Sequence, residues 1–125
     1  MVDDMARHRL LTLLAVMTLA AFPFHTGAAG PQVRESVPAA AAIITGLHAE
    51  YVIRFDRPVD RAASNVVITA GGRTIQTLTP RLDSAVDVLF ASGEAPPPGQ
   101  YLLHWETRSP DGEPSRGDIP FSVAR

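Results

Sequence analysis

The chain has 125 residues, a formal charge of −2 and 46% hydrophobic residues, which suits one globular domain of ordinary size. It has no cysteine, so disulfide frameworks and thiolate metal sites are excluded. All eleven basic residues are arginine and the two signs are interspersed, so no basic patch points to nucleic acid.

The N-terminus reads as an export signal. Arg7, His8 and Arg9 precede an apolar run from Leu10 to Phe22, followed by Pro23 and the small residues Thr26-Gly27-Ala28-Ala29-Gly30. A basic region, a short apolar core and a small-residue cleavage region define a secretory signal peptide. The run is too short for a span, which needs about 20 residues. Asp3 and Asp4 are unusual in a basic region, which leaves Met1 and Met5 both open as the start. Cleavage after Ala29 divides the chain into a signal peptide, 1–29, and a domain, 30–125. No other segment is long and apolar enough to cross a bilayer as a helix.

Short strands follow in order. Val33 to Val37 is extended and ends at Pro38. Residues 39–44 lack polar periodicity and read as a loop or single turn. Glu50 to Phe55 alternates, with Tyr51, Ile53 and Phe55 on one face. Asn65 to Ala70 and Arg73 to Leu78 flank Gly71-Gly72, a pair suited to the positive φ of a tight hairpin turn. Ala85 to Ala91 alternates again, and the expected inward set there is Val86, Val88 and Phe90. Pro96-Pro97-Pro98-Gly99 leads into Gln100 to Arg108, with Tyr101, Leu103, Trp105 and Thr107 on one face and Leu102, His104, Glu106 and Arg108 on the other. A polar tip, Ser109-Pro110-Asp111-Gly112-Glu113-Pro114, precedes a last strand, Gly117 to Val123. About seven short strands with regular turn signals predict an all-β, antiparallel Greek-key sandwich or barrel of Ig-like type. The expected core is Tyr51, Ile53, Phe55, Val66, Ile68, Val86, Val88, Phe90, Tyr101, Leu103, Trp105, Phe121 and Val123.

Catalytic motifs are missing. No nucleophile elbow or triad pattern organises the Ser, His and Asp residues, Asp83 and Asp87 are too isolated for a carboxylate pair, and there is no Gly-rich phosphate loop. The chain therefore reads as a non-enzyme. His48 and His104 are not at metal-ligand spacing.

Several segments together resemble the CopC family of periplasmic copper-resistance proteins. They are Glu35-Ser36-Val37-Pro38-Ala39, the strand 49–55 with Asp56-Arg57-Pro58-Val59, Pro98-Gly99-Gln100-Tyr101 running on to Trp105, the Ser109 to Pro114 tip, Gly117, and Phe121-Ser122-Val123. The resemblance implies an Ig-like sandwich that binds copper(II) at one end, through an N-terminal His and the Asp and His of the tip. Here the N-terminal ligand position falls on Gly30, the tip Asp is Asp111, and the tip His is Glu113. All three methionines, Met1, Met5 and Met17, precede residue 30, so the Met-rich copper(I) site of some members is absent from 30–125. Copper(II) prefers nitrogen-rich tetragonal ligation, which Gly30, Asp111 and Glu113 supply poorly. The resemblance thus implies a periplasmic, non-catalytic copper-handling protein with a degraded or remodelled copper(II) site, whose partner is a membrane copper importer or another envelope protein. The alternative is an Ig-like interaction module of the envelope that has lost metal binding.

Overall fold

The computed structural model describes residues 30–125, whose regular structure is β-strand apart from one short 3-10 turn. The signal-peptide reading, with His25 and the three methionines, lies outside the described residues. Eight strands form two sheets: β1 (Val33–Val37), β2 (Ala42–Ile44), β3 (His48–Phe55), β4 (Asn65–Ala70), β5 (Arg73–Leu78), β6 (Val88–Glu94), β7 (Gly99–Arg108) and β8 (Pro114–Val123). One sheet has the order β1-β3-β6 and the other β2-β8-β7-β4-β5. Their inner faces meet in one core that includes Tyr51, Ile53, Phe55, Val66, Ile68, Leu89, Leu103, Trp105 and Phe121.

Period two decides which face is buried in β3, β4 and β7. In β3, Ala49, Tyr51, Ile53 and Phe55 are buried while His48, Glu50 and Arg54 are exposed. The β4–β5 turn uses Gly71 at φ 59° and Gly72 at φ 80°, a pair of positive values that closes a two-residue hairpin. In β7, Leu103, Trp105 and Thr107 are buried and Tyr101 is half-buried against Phe121, 5.8 Å away between ring centroids. Trp105 joins the sheets by an edge-on contact with Phe55 (5.1 Å, 75°). Its ring lies over its partner across the ladder, Gly117, where an added Cβ would stand 2.8 Å from the ring. Glycine is needed there because Trp105 fills the space.

Three sequence expectations need correction. Strand β6 buries Leu89 and Ala91, not Val86, Val88 and Phe90. Val88 to Ala91 is apolar on both faces, so alternation could not fix its parity; pairing with β3 fixes it, setting Ile53 against Leu89. Outward-facing Phe90 is half-buried beneath the Arg81 guanidinium, 5.7 Å from its ring centre, and Val86 is exposed in the preceding loop. Residues 42–44 form β2 rather than a loop, paired parallel to Phe121–Val123 of β8. Ala41, at φ 67°, turns the chain there and donates its N–H to the Pro120 carbonyl (2.7 Å). That pair is also the exception to an otherwise antiparallel pairing.

One core group is poorly matched to its surroundings. Tyr51 is 1% exposed, and its hydroxyl has no hydrogen-bond partner among the described residues. Burial pushes its phenol pKa up. An unpaired buried hydroxyl costs about 1–3 kcal/mol. Tyr51→Phe keeps the ring, with its edge-on contact to Phe121, and removes that cost. Thermal unfolding should show a gain of about 1 kcal/mol, equal to about 4–8 °C for a domain of this size. A loss of stability would show that the hydroxyl is satisfied in solution.

Candidate metal centre

The β7–β8 hairpin carries the tip at one end of the sandwich, where Arg108 pairs with Pro114. Ser109, 6% exposed, organises it. Its N–H donates to the Glu113 carbonyl (2.9 Å), its carbonyl accepts from the Gly112 N–H (2.9 Å), and its Oγ accepts from the Glu113 N–H (3.1 Å). The same hydroxyl donates to Oδ1 of Asp111. Gly112 sits at φ 99°, which the reversal requires. One carboxylate oxygen of Asp111 is thus engaged inside the turn, while Asp111 and Glu113 both stay solvent-exposed.

The segment before β1 comes to this tip. Gly30 and Pro31 are both buried. Gly30 lies so close to the hairpin that a Cβ built on it would stand 2.8 Å from the Glu113 carbonyl oxygen and nearer still to that of Pro114. Gln32 holds the segment in place: its N–H donates to Oδ1 of Asp56 (3.0 Å), its carbonyl accepts from the Asp56 N–H (2.9 Å), and its side chain donates to the Gly30 carbonyl (3.2 Å). The structure therefore brings Gly30 and the Asp111–Glu113 tip together, although sequence separates them by some eighty residues.

The electrostatics at this end are mixed. Arg57 pairs with Asp56 (3.0 Å), and that bond raises its pKa, with a smaller push from the charge of Asp111. The guanidinium thus lies within electrostatic reach of the tip carboxylate, where it opposes the approach of a cation. Beneath the tip, Thr107 and Ser64 are buried and joined through their hydroxyls (2.7 Å), and Ser64 Oγ donates to the Asp60 carbonyl (2.7 Å).

The histidines lie elsewhere. His48 opens β3 opposite Glu94, at the end of the strand away from Phe55 and β1. His104 points outward from mid-β7, as its place in the alternation predicts. It sits between Asp118 and Glu106, with Nδ1 and Nε2 each 2.9 Å from a carboxylate oxygen. Among the described residues, no three His, Cys, Asp or Glu side chains gather in a group able to hold a metal ion. Sequence reasoning marked His104 as outward but missed the Asp118 contact, because that depends on the β7–β8 register.

Comparison with known proteins adds to this geometry. The family model of the CopC domain matches residues 33–124. No curated protein matches the chain. Among solved structures, the fold is similar to CopC from Methylosinus trichosporium OB3b, at 21% identity and a TM-score of 0.61, covering 74% of this chain and 92% of that one. It is also similar to PcoC, a methionine-rich copper resistance protein from Escherichia coli, at 19% identity and a TM-score of 0.61, covering 77% of this chain and all of that one.

Proposed function

The chain belongs to the CopC domain family, and from that premise we propose that it is an exported, non-catalytic copper-handling protein of the periplasm whose copper(II) site is remodelled. The observation that carries the reading is the packing of Gly30. At the position where the family resemblance puts an imidazole, bare main chain lies against the Glu113 and Pro114 carbonyls. The second imidazole position holds Glu113.

The residues present do not fit the copper(II) site of the family. That ion favours nitrogen-rich tetragonal ligation. The tip offers the carboxylates of Asp111 and Glu113, one of them already bonded to Ser109, next to the cationic Arg57. A free amine at Gly30, exposed by cleavage after Ala29, would add a single nitrogen. Pro31 has no amide proton to surrender to a chelate. Such a set is hard and weakly selective. The role that follows is weak buffering or delivery of copper, or docking to a membrane copper importer.

A second reading, an Ig-like interaction module that has lost the metal, draws support from the surface beside the tip. Leu82, 63% exposed, and Pro110 line a shallow hollow there with Val59, Asp60, Arg61 and Ala62.

Copper(II) titration of the chain beginning at Gly30, in competition with a weak chelator, separates the readings. The expected result is binding at micromolar or weaker affinity, an oxygen-rich electron paramagnetic resonance spectrum, and loss of binding in Asp111→Ala. Sub-micromolar binding with coupling to several nitrogens would mean that the site is not remodelled. No binding at all would sink the carrier reading and leave the interaction module.

A further inference from the structure

We propose that His104 is held as an imidazolium between Asp118 and Glu106, forming a pH-sensitive clip across the outer face of β7 and β8. The inference stands apart from the copper reading and rests on three side chains that the β7–β8 register brings together. His104 pairs with Asp118 across the ladder, and Glu106 lies two residues along β7 on the same face. Nδ1 is 2.9 Å from Asp118 Oδ1, and Nε2 is 2.9 Å from Glu106 Oε2.

The chemistry follows from counting protons. A neutral imidazole has one N–H and can donate to only one of these carboxylates; its other nitrogen would then face a carboxylate oxygen with lone pair against lone pair. An imidazolium donates to both, and each bond is charge-assisted. The ring is only 27% exposed, so water competes less with these bonds than at an open surface site. The pKa of His104 is raised: the bond to Glu106 is the largest cause, burial opposes it, and the bond to Asp118 and the charges of both carboxylates add to the rise.

The surrounding strands leave this balance in place. On β7 the charged residues of the same face are Glu106 and Arg108, and on β8 they are Arg116 and Asp118. The adjoining strand β4 contributes Asn65, Val67 and Thr69 to this face and no titratable group. Val67 lies directly opposite His104 and is half-buried.

A raised pKa makes the clip an acid-side stabiliser. Its contribution is complete below the unfolded histidine value of about 6.5 and is lost as the pH rises through the folded value. The clip therefore holds on the acid side of the raised histidine value and releases one carboxylate above it.

Nuclear magnetic resonance titration of the histidine ring signals in the full chain provides the test, with the His104 signal identified by its loss in His104→Gln. The expected midpoint lies above 6.5 and falls in both Glu106→Gln and Asp118→Asn, while Asp118→Glu restores part of the shift. Urea unfolding should show wild type losing its stability advantage over His104→Gln as the pH rises through that midpoint. A wild-type midpoint at or below 6.5, or one that either neutral variant leaves unmoved, overturns the clip.

Discussion

Trp105→Ala should cost about 3–5 kcal/mol, the range for removing a large buried aromatic side chain. Domains of this size have about 5–15 kcal/mol in total, so the variant stands near its unfolding threshold. The cost belongs near the top of the range because of what surrounds the ring. Trp105 is 5% exposed and spans the sandwich, from β7 in one sheet to Phe55 of β3 in the other. On its own sheet it covers Gly117, which has no side chain to move into the void. The surrounding strands are held by their ladders and cannot collapse onto it, and a cavity that stays open raises the penalty. Thermal unfolding followed by far-ultraviolet circular dichroism should show a fall of about 15–30 °C. Trp105 is the only tryptophan, so fluorescence reports on wild type but not on the variant. Trp105→Phe keeps an aromatic contact and should lose less. A loss below about 1 kcal/mol for the alanine variant would contradict the placement of this ring in the core.

The fold was legible where mostly polar residues mark the outward positions. Strands β3 and β7 carry their inward faces in the primary sequence, and Gly71-Gly72 announces the turn between β4 and β5. It was illegible where both faces are apolar. In Val88 to Ala91 either parity satisfies the pattern, and only partners from β3 and the loop bearing Arg81 decide it. Strand β2 was missed for a related reason: three residues are too few to show a period, and its backbone is satisfied by a strand almost eighty residues away. The candidate site divides in the same manner. Asp111-Gly112 reads locally as a turn, and it is one. Nothing near Gly30-Pro31 in sequence announces that both residues are buried, with Gly30 against the Glu113 and Pro114 carbonyls. Its association with the tip came from the family resemblance alone.

Glu113→His should raise copper(II) affinity by about tenfold or more, equal to about 1.4 kcal/mol per factor of ten. The tip is held by main-chain groups of residue 113, its N–H to Ser109 Oγ and its carbonyl to the Ser109 N–H, so the turn survives the change of side chain. An imidazole placed beside Asp111 supplies the nitrogen that copper(II) favours over a carboxylate. Electron paramagnetic resonance should then show imidazole nitrogen coupling that is absent from wild type, with the metal-free melting temperature unchanged. Gly30→His behaves differently, although the resemblance marks both positions as imidazole sites. A Cβ at residue 30 meets the Glu113 and Pro114 carbonyls, which are backbone and cannot rotate away. The segment from Gly30 to Gln32 must lift from the tip, at a cost of about 1–3 kcal/mol, typical of overpacking. The metal-free melting temperature of Gly30→His should therefore fall, whatever copper it binds. The pair of variants separates two ways in which the proposed remodelling could have arisen. If Gly30→His melts with wild type, the main chain at residue 30 is not held against the hairpin, and a change of side chains alone accounts for the loss. If it melts lower while Glu113→His binds copper more tightly at unchanged stability, the backbone has closed over one ligand position and the other stays open to recovery.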